Sequence, residues 1–129
     1  MQHKDLSQSR WNTLSLVEQM ANIGSEIERA MKWKEKNNPL YASQANGRAL
    51  ELFDLTLADS RHGAGLREIA RARELWLDYF LGDNQYHQRA SQWQKYFYAF
   101  AYCARNNLVS PQVERSEIPQ RGRFEPTTM

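Results

Sequence analysis

Apolar side chains recur at helical spacing in four segments of this chain. Within each segment the large apolar residues lie three or four positions apart, which is the period of an amphipathic α-helix. No stretch of four or more residues alternates apolar and polar side chains as a β-strand does. The pattern predicts helices at about residues 15–37, 39–58 and 66–81. A fourth helix is expected to begin between Gln85 and Ser91 and to end near Asn106.

Local signals mark several helix ends. Ser15 and Glu18 have the spacing of a capping box, and Ser91 is a second candidate N-cap. Asn38 and Pro39 suit the N-cap and first position of the second helix. Amphipathic helices with short links are typical of an all-α, antiparallel up-down four-helix bundle, here over residues 13–108. We expect residues 1–12 to be a polar N-terminal segment and residues 109–129 a disordered or extended, flexible C-terminal tail.

Arg73 falls among the apolar positions of the third predicted helix. A guanidinium stays charged in proteins, so a buried one needs a carboxylate or other acceptors nearby. The candidate partners are Glu28 on the first helix, Glu51 and Asp54 on the second, and Glu74 beside the arginine itself. By helical angle, Glu28 and Asp54 flank their apolar stripes more closely than Glu51 does. We expect a buried polar pair that sets helix register, with an anion-binding or catalytic arginine as the alternative.

Composition limits the classes of function. The 129 residues carry a net charge of +2, too mild by itself to indicate a nucleic-acid-binding protein. A single cysteine excludes an internal disulfide and a zinc site built on several cysteines. None of the three histidines follows a glutamate by three positions, as a di-iron bundle requires. We therefore expect no metal and no cofactor, no catalytic residue and no enzyme activity.

The sequence shows no feature of a membrane or secreted protein. The N-terminal segment is polar, unlike a signal peptide, and no apolar run approaches the ~18 residues that a membrane span needs. We therefore expect a protein of the reduced cytoplasm, with no membrane partner.

Three aromatic side chains are candidates for an interface. Tyr98 and Tyr102 are one helical turn apart and face away from the main apolar stripe of the fourth helix. Trp33 likewise lies off the stripe of the first helix. Exposed large aromatics are enriched at protein interfaces, so we expect a homo-oligomer, with harmless surface tyrosines as the alternative.

Basic side chains offer a different interpretation, a surface that binds phosphate or nucleic acid. Acidic residues are interspersed among them, so solvated ion pairs explain most of the pattern. The candidate anion or nucleic-acid face consists of Lys32, Lys36, Arg61, Arg67 and Arg71.

The region from Leu14 to Asn107 resembles a small uncharacterised prokaryotic family of four-helix bundles. The resemblance is carried by LVEQ (16–19), NIGSE (22–26), RALELFDLT (48–56), GDN (82–84), YF (96–97) and AR (104–105). More distantly, the chain is similar to ribosomal intervening-sequence proteins and to accessory proteins of diversity-generating retroelements. These resemblances imply rings of helical bundles and, for the accessory proteins, contacts with nucleic acid and reverse transcriptase. This chain is far less basic, so only the fold and the tendency to assemble are carried over.

The ribonucleases of the HEPN class provide a further comparison. Their active site needs an arginine followed four to six residues later by a histidine, and no histidine follows Arg105. That chemistry lacks its general acid and base here. We therefore expect a non-enzymatic binding or scaffolding protein that self-associates. The alternatives are a nucleic-acid-binding accessory protein and a degenerate HEPN-like toxin or antitoxin component, whose partner is nucleic acid or an unknown protein.

Overall fold

The computed structural model describes residues 8–106, and this part of the chain is all-α, as the sequence predicts. The five α-helices of this range are α1 (Gln8–Trp11), α2 (Leu16–Glu35), α3 (Pro39–Leu57), α4 (Gly65–Phe80) and α5 (Ala90–Arg105). A 3-10 turn, Ser60–His62, links α3 and α4, and residues 8–106 contain no strand. None of these helices combines the length and the apolar character that crossing a bilayer requires.

The predicted caps of α2 and α3 are confirmed. The backbone N–H of Glu18 donates to Ser15 Oγ at 3.2 Å, and the N–H of Ser15 donates to Glu18 Oε1 at 2.9 Å. This reciprocal pair is a capping box, which satisfies two N–H groups that lack a partner within the helix. The Asn38 side chain caps α3 by accepting the N–H of Tyr41 at 3.1 Å.

The second predicted capping box, at Ser91, is wrong. Helix α5 begins at Ala90, so Ser91 already lies inside the first turn. The N–H of Arg89 donates to Gln92 Oε1 at 2.7 Å, which moves the N-cap two positions earlier. The spacing of a capping box therefore identified the right turn but the wrong residue.

Helix α1 extends the packed part of the chain into the segment that we expected to be polar and separate. Trp11 is almost completely buried, and its indole N–H donates to Thr56 Oγ1 at the end of α3, at 3.0 Å. The folded unit therefore begins before residue 13, because this one indole packs into the core. The rest of the N-terminal segment and the predicted tail at residues 109–129 lie outside the described residues.

Helix α2 packs most closely against α3 and α5, and α4 packs against α3 and α5 through larger side chains. The indole N–H of Trp76 donates to Asn46 Oδ1 at 2.7 Å, so a tryptophan in the interior has its polar atom satisfied. Its ring meets that of Trp93 edge to face, with centroids 5.5 Å apart. The largest buried apolar side chains are Met20, Ile23, Ile27, Phe53, Leu75, Trp76, Trp93 and Tyr96.

Candidate functional site

Arg73 lies at the edge of the helical core and not inside it. Its side chain keeps 28% of its surface in solvent, and Asp54 keeps 62%. The Nε atom is shielded from solvent and lies 3.0 Å from Asp54 Oδ1. The structure thus places Arg73 beside Asp54, one of its candidate partners, but as an ion pair at the rim of the core. Such pairs contribute only about 0–1 kcal/mol.

Arg73 lies at the edge of the core because of the orientation of α4. Its buried face includes Ala72 and Leu75 in addition to Ile69 and Trp76, which moves the centre of that face away from Arg73. The predicted stripe counted Ala70 and Leu77 in place of Ala72 and Leu75, and it was therefore rotated toward the arginine.

Glu28, another candidate partner, is exposed on α2 and lies 3.6 Å from Lys32 Nζ on the same helix. Glu51 is partly buried on α3. Of the candidate pairings of Arg73, the structure shows the one with Asp54.

Tyr98 and Tyr102 form an exposed ridge on α5. Their side chains are 59% and 48% exposed, and their ring centroids lie 6.4 Å apart. The guanidinium of Arg105 lies over the Tyr98 ring at 5.7 Å, which adds a cation to the ridge. The predicted pair of surface tyrosines is thus a continuous polar-aromatic strip.

A groove of about 460 Å³ runs beside this ridge, between α2 and α5. Gly24 lies in the lining of this groove, at the point where α2 and α5 come closest: a Cβ atom there would lie 2.7 Å from Phe97 Cβ. Beyond one end, a second groove of about 310 Å³ continues toward Lys34 and Ala90. We call the ridge and the first groove together the α2–α5 face. The groove is lined by Ala21, Gly24, Ser25, Ile27, Glu28, Met31, Trp93, Gln94, Lys95, Phe97, Tyr98, Ala101 and Arg105.

Trp33 does not belong to this face. It lies nine positions after Gly24, which is about half a turn around α2 at ~100° per residue. Its ring packs edge to face on Tyr41 at the start of α3, with centroids 4.9 Å apart, and Lys36 Nζ lies over it at 5.4 Å. The three predicted interface aromatics therefore occupy two separate surfaces.

The five candidate basic residues do not form one patch either. Lys32 and Lys36 lie near the end of α2, where the neighbouring Lys34 donates to the carbonyl oxygen of Phe80 at 3.0 Å. Arg61 lies beside the first turn of α2, where its guanidinium donates to the carbonyl oxygen of Leu14 at 2.7 Å. These two ends of α2 are ~30 Å apart, from the helical rise of ~1.5 Å per residue.

The remaining two, Arg67 and Arg71, are exposed on α4. A binding surface for a phosphate backbone needs several cations that act together on neighbouring phosphates. The positions of these five residues do not assemble that arrangement.

A buried polar cluster that the sequence analysis missed joins α2 to the 3-10 turn. Asp59 leaves only 1% of its side chain in solvent and accepts hydrogen bonds from the backbone and guanidinium of Arg61. Gln19 donates to Asp59 Oδ2 at 3.1 Å and to the carbonyl oxygen of Trp11 at 3.0 Å. His62 Nε2 lies 2.7 Å from Gln19 Oε1 and 3.3 Å from Asp59 Oδ2. We call Gln19, Asp59, Arg61 and His62 the Asp59 cluster.

Hydrogen bonds from Arg61 hold the pKa of Asp59 far below its ordinary value, although burial alone would raise it. The backbone N–H of Arg61 and the amide of Gln19 act in the same direction. The Arg61 pKa is raised in return, mainly by its hydrogen bond to Asp59. The polar atoms of the cluster are directed at one another, so its evident role is to fasten the 3-10 turn and α1 to α2.

One sequence signal pointed to this cluster. Gln19 stands inside the apolar stripe of α2, three positions after Leu16 and four before Ile23. A polar residue at such a position has to find partners when it is buried. Asp59 gave a weaker signal, because aspartate in a loop is commonly a turn residue.

Within residues 8–106 no three histidine, cysteine, aspartate or glutamate side chains are grouped so that they could hold a metal ion. The single cysteine, Cys103, is buried on α5. Comparison with protein-family models, curated proteins and solved structures finds no match for this chain. The α2–α5 face, with its exposed tyrosines and adjoining groove, is therefore the candidate functional site on structural grounds alone.

Proposed function

We propose that this chain is a non-enzymatic binding or scaffolding protein that self-associates, built on an antiparallel up-down bundle of α2, α3, α4 and α5. Contacts between neighbouring helices support that topology, since early positions of one helix meet late positions of the next. Tyr96 on α5 donates to Glu68 on α4 at 3.0 Å, whereas Trp93 meets Trp76. Later residues of α4 therefore lie beside earlier residues of α5.

The observation that carries self-association is the exposure of Tyr98 and Tyr102 beside an open groove. Two neighbouring tyrosines that leave about half of their surface in water are of the residue type that is enriched at interfaces. Tyrosine also loses little side-chain entropy when it is fixed in a contact, because it has only two rotatable side-chain bonds. The tendency to assemble that the family resemblance implies agrees with this proposal.

The rival function, binding of nucleic acid, receives no comparable support. Its five candidate residues are distributed over both ends of α2 and the outer side of α4. We therefore make no proposal of a nucleic-acid site.

The test is the mass of the protein in solution, measured by light scattering and sedimentation equilibrium over a range of concentrations. The wild-type chain is expected to show a mass above that of one copy, which falls on dilution. The double variant Tyr98→Ser/Tyr102→Ser is expected to have the mass of a single copy with unchanged helicity, because the aromatic contact area is removed and no core residue is touched.

Leu81→Ser is the matched control, since Leu81 is equally exposed but lies at the end of α4. It should leave assembly unchanged. Tyr41→Ser tests the separate surface around Trp33. A wild-type protein that is monomeric at every concentration would overturn the proposal, and loss of assembly in Tyr41→Ser alone would move the interface to the α2–α3 link.

A further inference from the structure

We infer that the α2–α5 face binds the same face of a second copy about a two-fold axis that runs parallel to the helices, midway between α2 and α5. This inference rests on the proposed self-association and deepens it, because it names the partner surface, the direction of the axis and the charges that pair. A two-fold interface uses one patch twice, so the patch must be complementary to itself. The charges and side-chain sizes on this face meet that condition for one direction of the axis.

Charge on the face is divided between its two helices. Glu18 and Glu28 are exposed on α2, whereas Lys95 and Arg105 are exposed on α5. Glu28, Lys95 and Arg105 line the groove, and the guanidinium of Arg105 lies over the exposed ring of Tyr98. The acidic helix and the basic helix therefore lie side by side on one surface.

The level of α2 against α5 follows from the contact between Gly24 and Phe97. From that contact, later residues of α2 lie beside earlier residues of α5, as the linings of the two grooves show. Because both helices rise ~1.5 Å per residue, equal numbers of residues from the contact reach equal levels. Glu28 is therefore level with Trp93.

Two directions of a two-fold axis lay this face on itself with its helices aligned. An axis perpendicular to the helices puts α5 on α5 and α2 on α2 of the second copy, so cations meet cations and carboxylates meet carboxylates. An axis parallel to the helices puts α5 of the second copy on α2 and keeps every residue at its own level. The division of charge selects the parallel axis, since opposite charges then face each other.

The parallel axis brings two kinds of opposite-charge pair to neighbouring levels. Lys95 of the second copy lies two residues, or ~3 Å, from the level of Glu28. Glu18 is level with Cys103, so Arg105 of the second copy likewise lies ~3 Å from the level of Glu18. Long lysine and arginine side chains can span such an offset. Each pair occurs twice in the dimer, and a two-fold rotation allows no shift along the helices that would adjust these levels.

The same axis seats a large side chain between small ones. Ala21 is level with Phe100, and Ser25 is level with Tyr96, so Tyr98 of the second copy lies midway between Ala21 and Ser25. Both small residues line the groove, and Tyr98 is exposed on α5. The tyrosine ring can therefore approach α2 closely, at a place that the charge pairs fix independently.

Two cations of α2 lie outside this arrangement. Arg29 lies 3.2 Å from Glu26 of the same helix, and Arg48 of α3 lies 3.1 Å from the same carboxylate, so Arg29 belongs to the α3 side of the helix. Lys32 is level with residue 89, one position before the first residue of α5. The division of charge therefore holds where α2 and α5 lie side by side.

The size of the face predicts a reversible dimer. Helix α5 has 16 residues, so the face is ~24 Å long, and two helices side by side are ~20 Å wide. The interface then totals about 1,000 Å² over both copies, at the lower limit for specific interfaces and typical of weak association. Mass measurements should therefore extend well above micromolar concentrations.

Charge reversal with mixing tests the pairs. In Glu28→Lys the introduced lysine would face Lys95 of the second copy, and in Lys95→Glu the introduced glutamate would face Glu28. Each variant alone is expected to associate at least about tenfold more weakly than wild type, since two attractions become two repulsions. An equimolar mixture should regain association, because the mixed dimer joins the introduced lysine to the introduced glutamate and the unchanged Glu28 to the unchanged Lys95.

The matched control is Arg105→Glu in place of Lys95→Glu, which makes the same change of charge on the same helix. Alone, it should also weaken association, because the introduced glutamate would face Glu18. Mixed with Glu28→Lys, it should give no gain over the separate variants, because one repulsion of each kind remains in the mixed dimer. A gain in both mixtures would contradict the pairing, since it would reflect only attraction between chains of different net charge.

Sedimentation velocity on the variants, separately and mixed, is the measurement, with circular dichroism to establish that all of them are folded. If Glu28→Lys and Lys95→Glu failed to complement each other while wild type dimerised, the parallel axis would be wrong and self-association would stand. Stronger association of Arg105→Glu alone would instead place α5 on α5 and would also refute the parallel axis. A monomeric wild type would overturn the proposed function as well.

Discussion

Asp59 stays ionised although almost none of its side chain reaches solvent, because Arg61 and Gln19 direct hydrogen-bond donors at it. The backbone N–H and the guanidinium of Arg61 come from two positions further along the chain, and Gln19 and His62 complete the shell. An isolated buried carboxylate would be protonated or expelled, since burial disfavours the charged form. Here hydrogen bonds reverse that preference, so the charge contributes to stability only while the folded arrangement persists.

The stability of the fold should therefore depend on pH through Asp59. Its pKa is lowered in the folded chain, so its contribution is complete above the unfolded value of about 3.9 and is lost as pH falls below it. Between about pH 6 and pH 2.5, the free energy of unfolding in urea is expected to fall by about 1–2 kcal/mol more in wild type than in Asp59→Asn. The figure is modest because Arg61 is half exposed.

Asp83→Asn is the matched control, because Asp83 is exposed in the link between α4 and α5. It should retain the pH dependence of wild type. If the free energy of unfolding fell equally with pH in wild type and in Asp59→Asn, the assignment of acid sensitivity to this carboxylate would be wrong.

At the scale of the helices, the approach of α2 to α5 depends on one missing side chain. The space that a Cβ atom of Gly24 would need is filled by Cβ and the ring of Phe97, at 2.7 Å and 3.0 Å. Phe97 is buried, so its ring has little freedom to move aside. Gly24 consequently fixes both the distance between the helices and the shape of the groove beside them.

Gly24→Ala is expected to destabilise the protein by about 1–2 kcal/mol. Overpacking of a core costs about 1–3 kcal/mol, and the better helix propensity of alanine offsets at most about 1 kcal/mol of it. Gly65→Ala is the control, since nothing lies within 4 Å of a Cβ atom there and the substitution should be neutral or stabilising. Urea denaturation of both variants is the measurement, and equal or higher stability of Gly24→Ala would show that Phe97 yields.

The sequence predicted the features that depend on near neighbours and misjudged those that depend on helix orientation. The cap at Ser15 and the start of α3 at Pro39 were found because the participating residues lie within three positions of each other. Arg73 was placed too deep because the rotation of α4 is set by its packing against α3, which spacing alone does not reveal. Gln19 carried the same kind of signal as Arg73, and its partner Asp59 lies 40 residues away. The tyrosines of α5 could be predicted as exposed, but the groove beside them requires the approach of α2.

At the scale of the whole molecule, charge is distributed so that two copies can approach. The net charge of +2 per chain leaves only weak repulsion between copies. On the α2–α5 face itself, acidic residues belong to α2 and basic residues to α5. A face that carries both signs of charge does not repel a second copy as a face with one sign of charge would.

If the chain self-associates through this face, the association should weaken moderately as salt is added. Charges of both signs lie on the face, where salt screens them, whereas the burial of Tyr98 and Tyr102 in a contact would not be weakened by salt. From about 50 mM to about 500 mM sodium chloride we expect association to weaken about three- to tenfold, as measured by sedimentation equilibrium. If salt instead strengthened association of the wild-type chain, apolar contact alone would hold the copies together, and attraction between the opposite charges of this face would be ruled out even though the tyrosine contact remained.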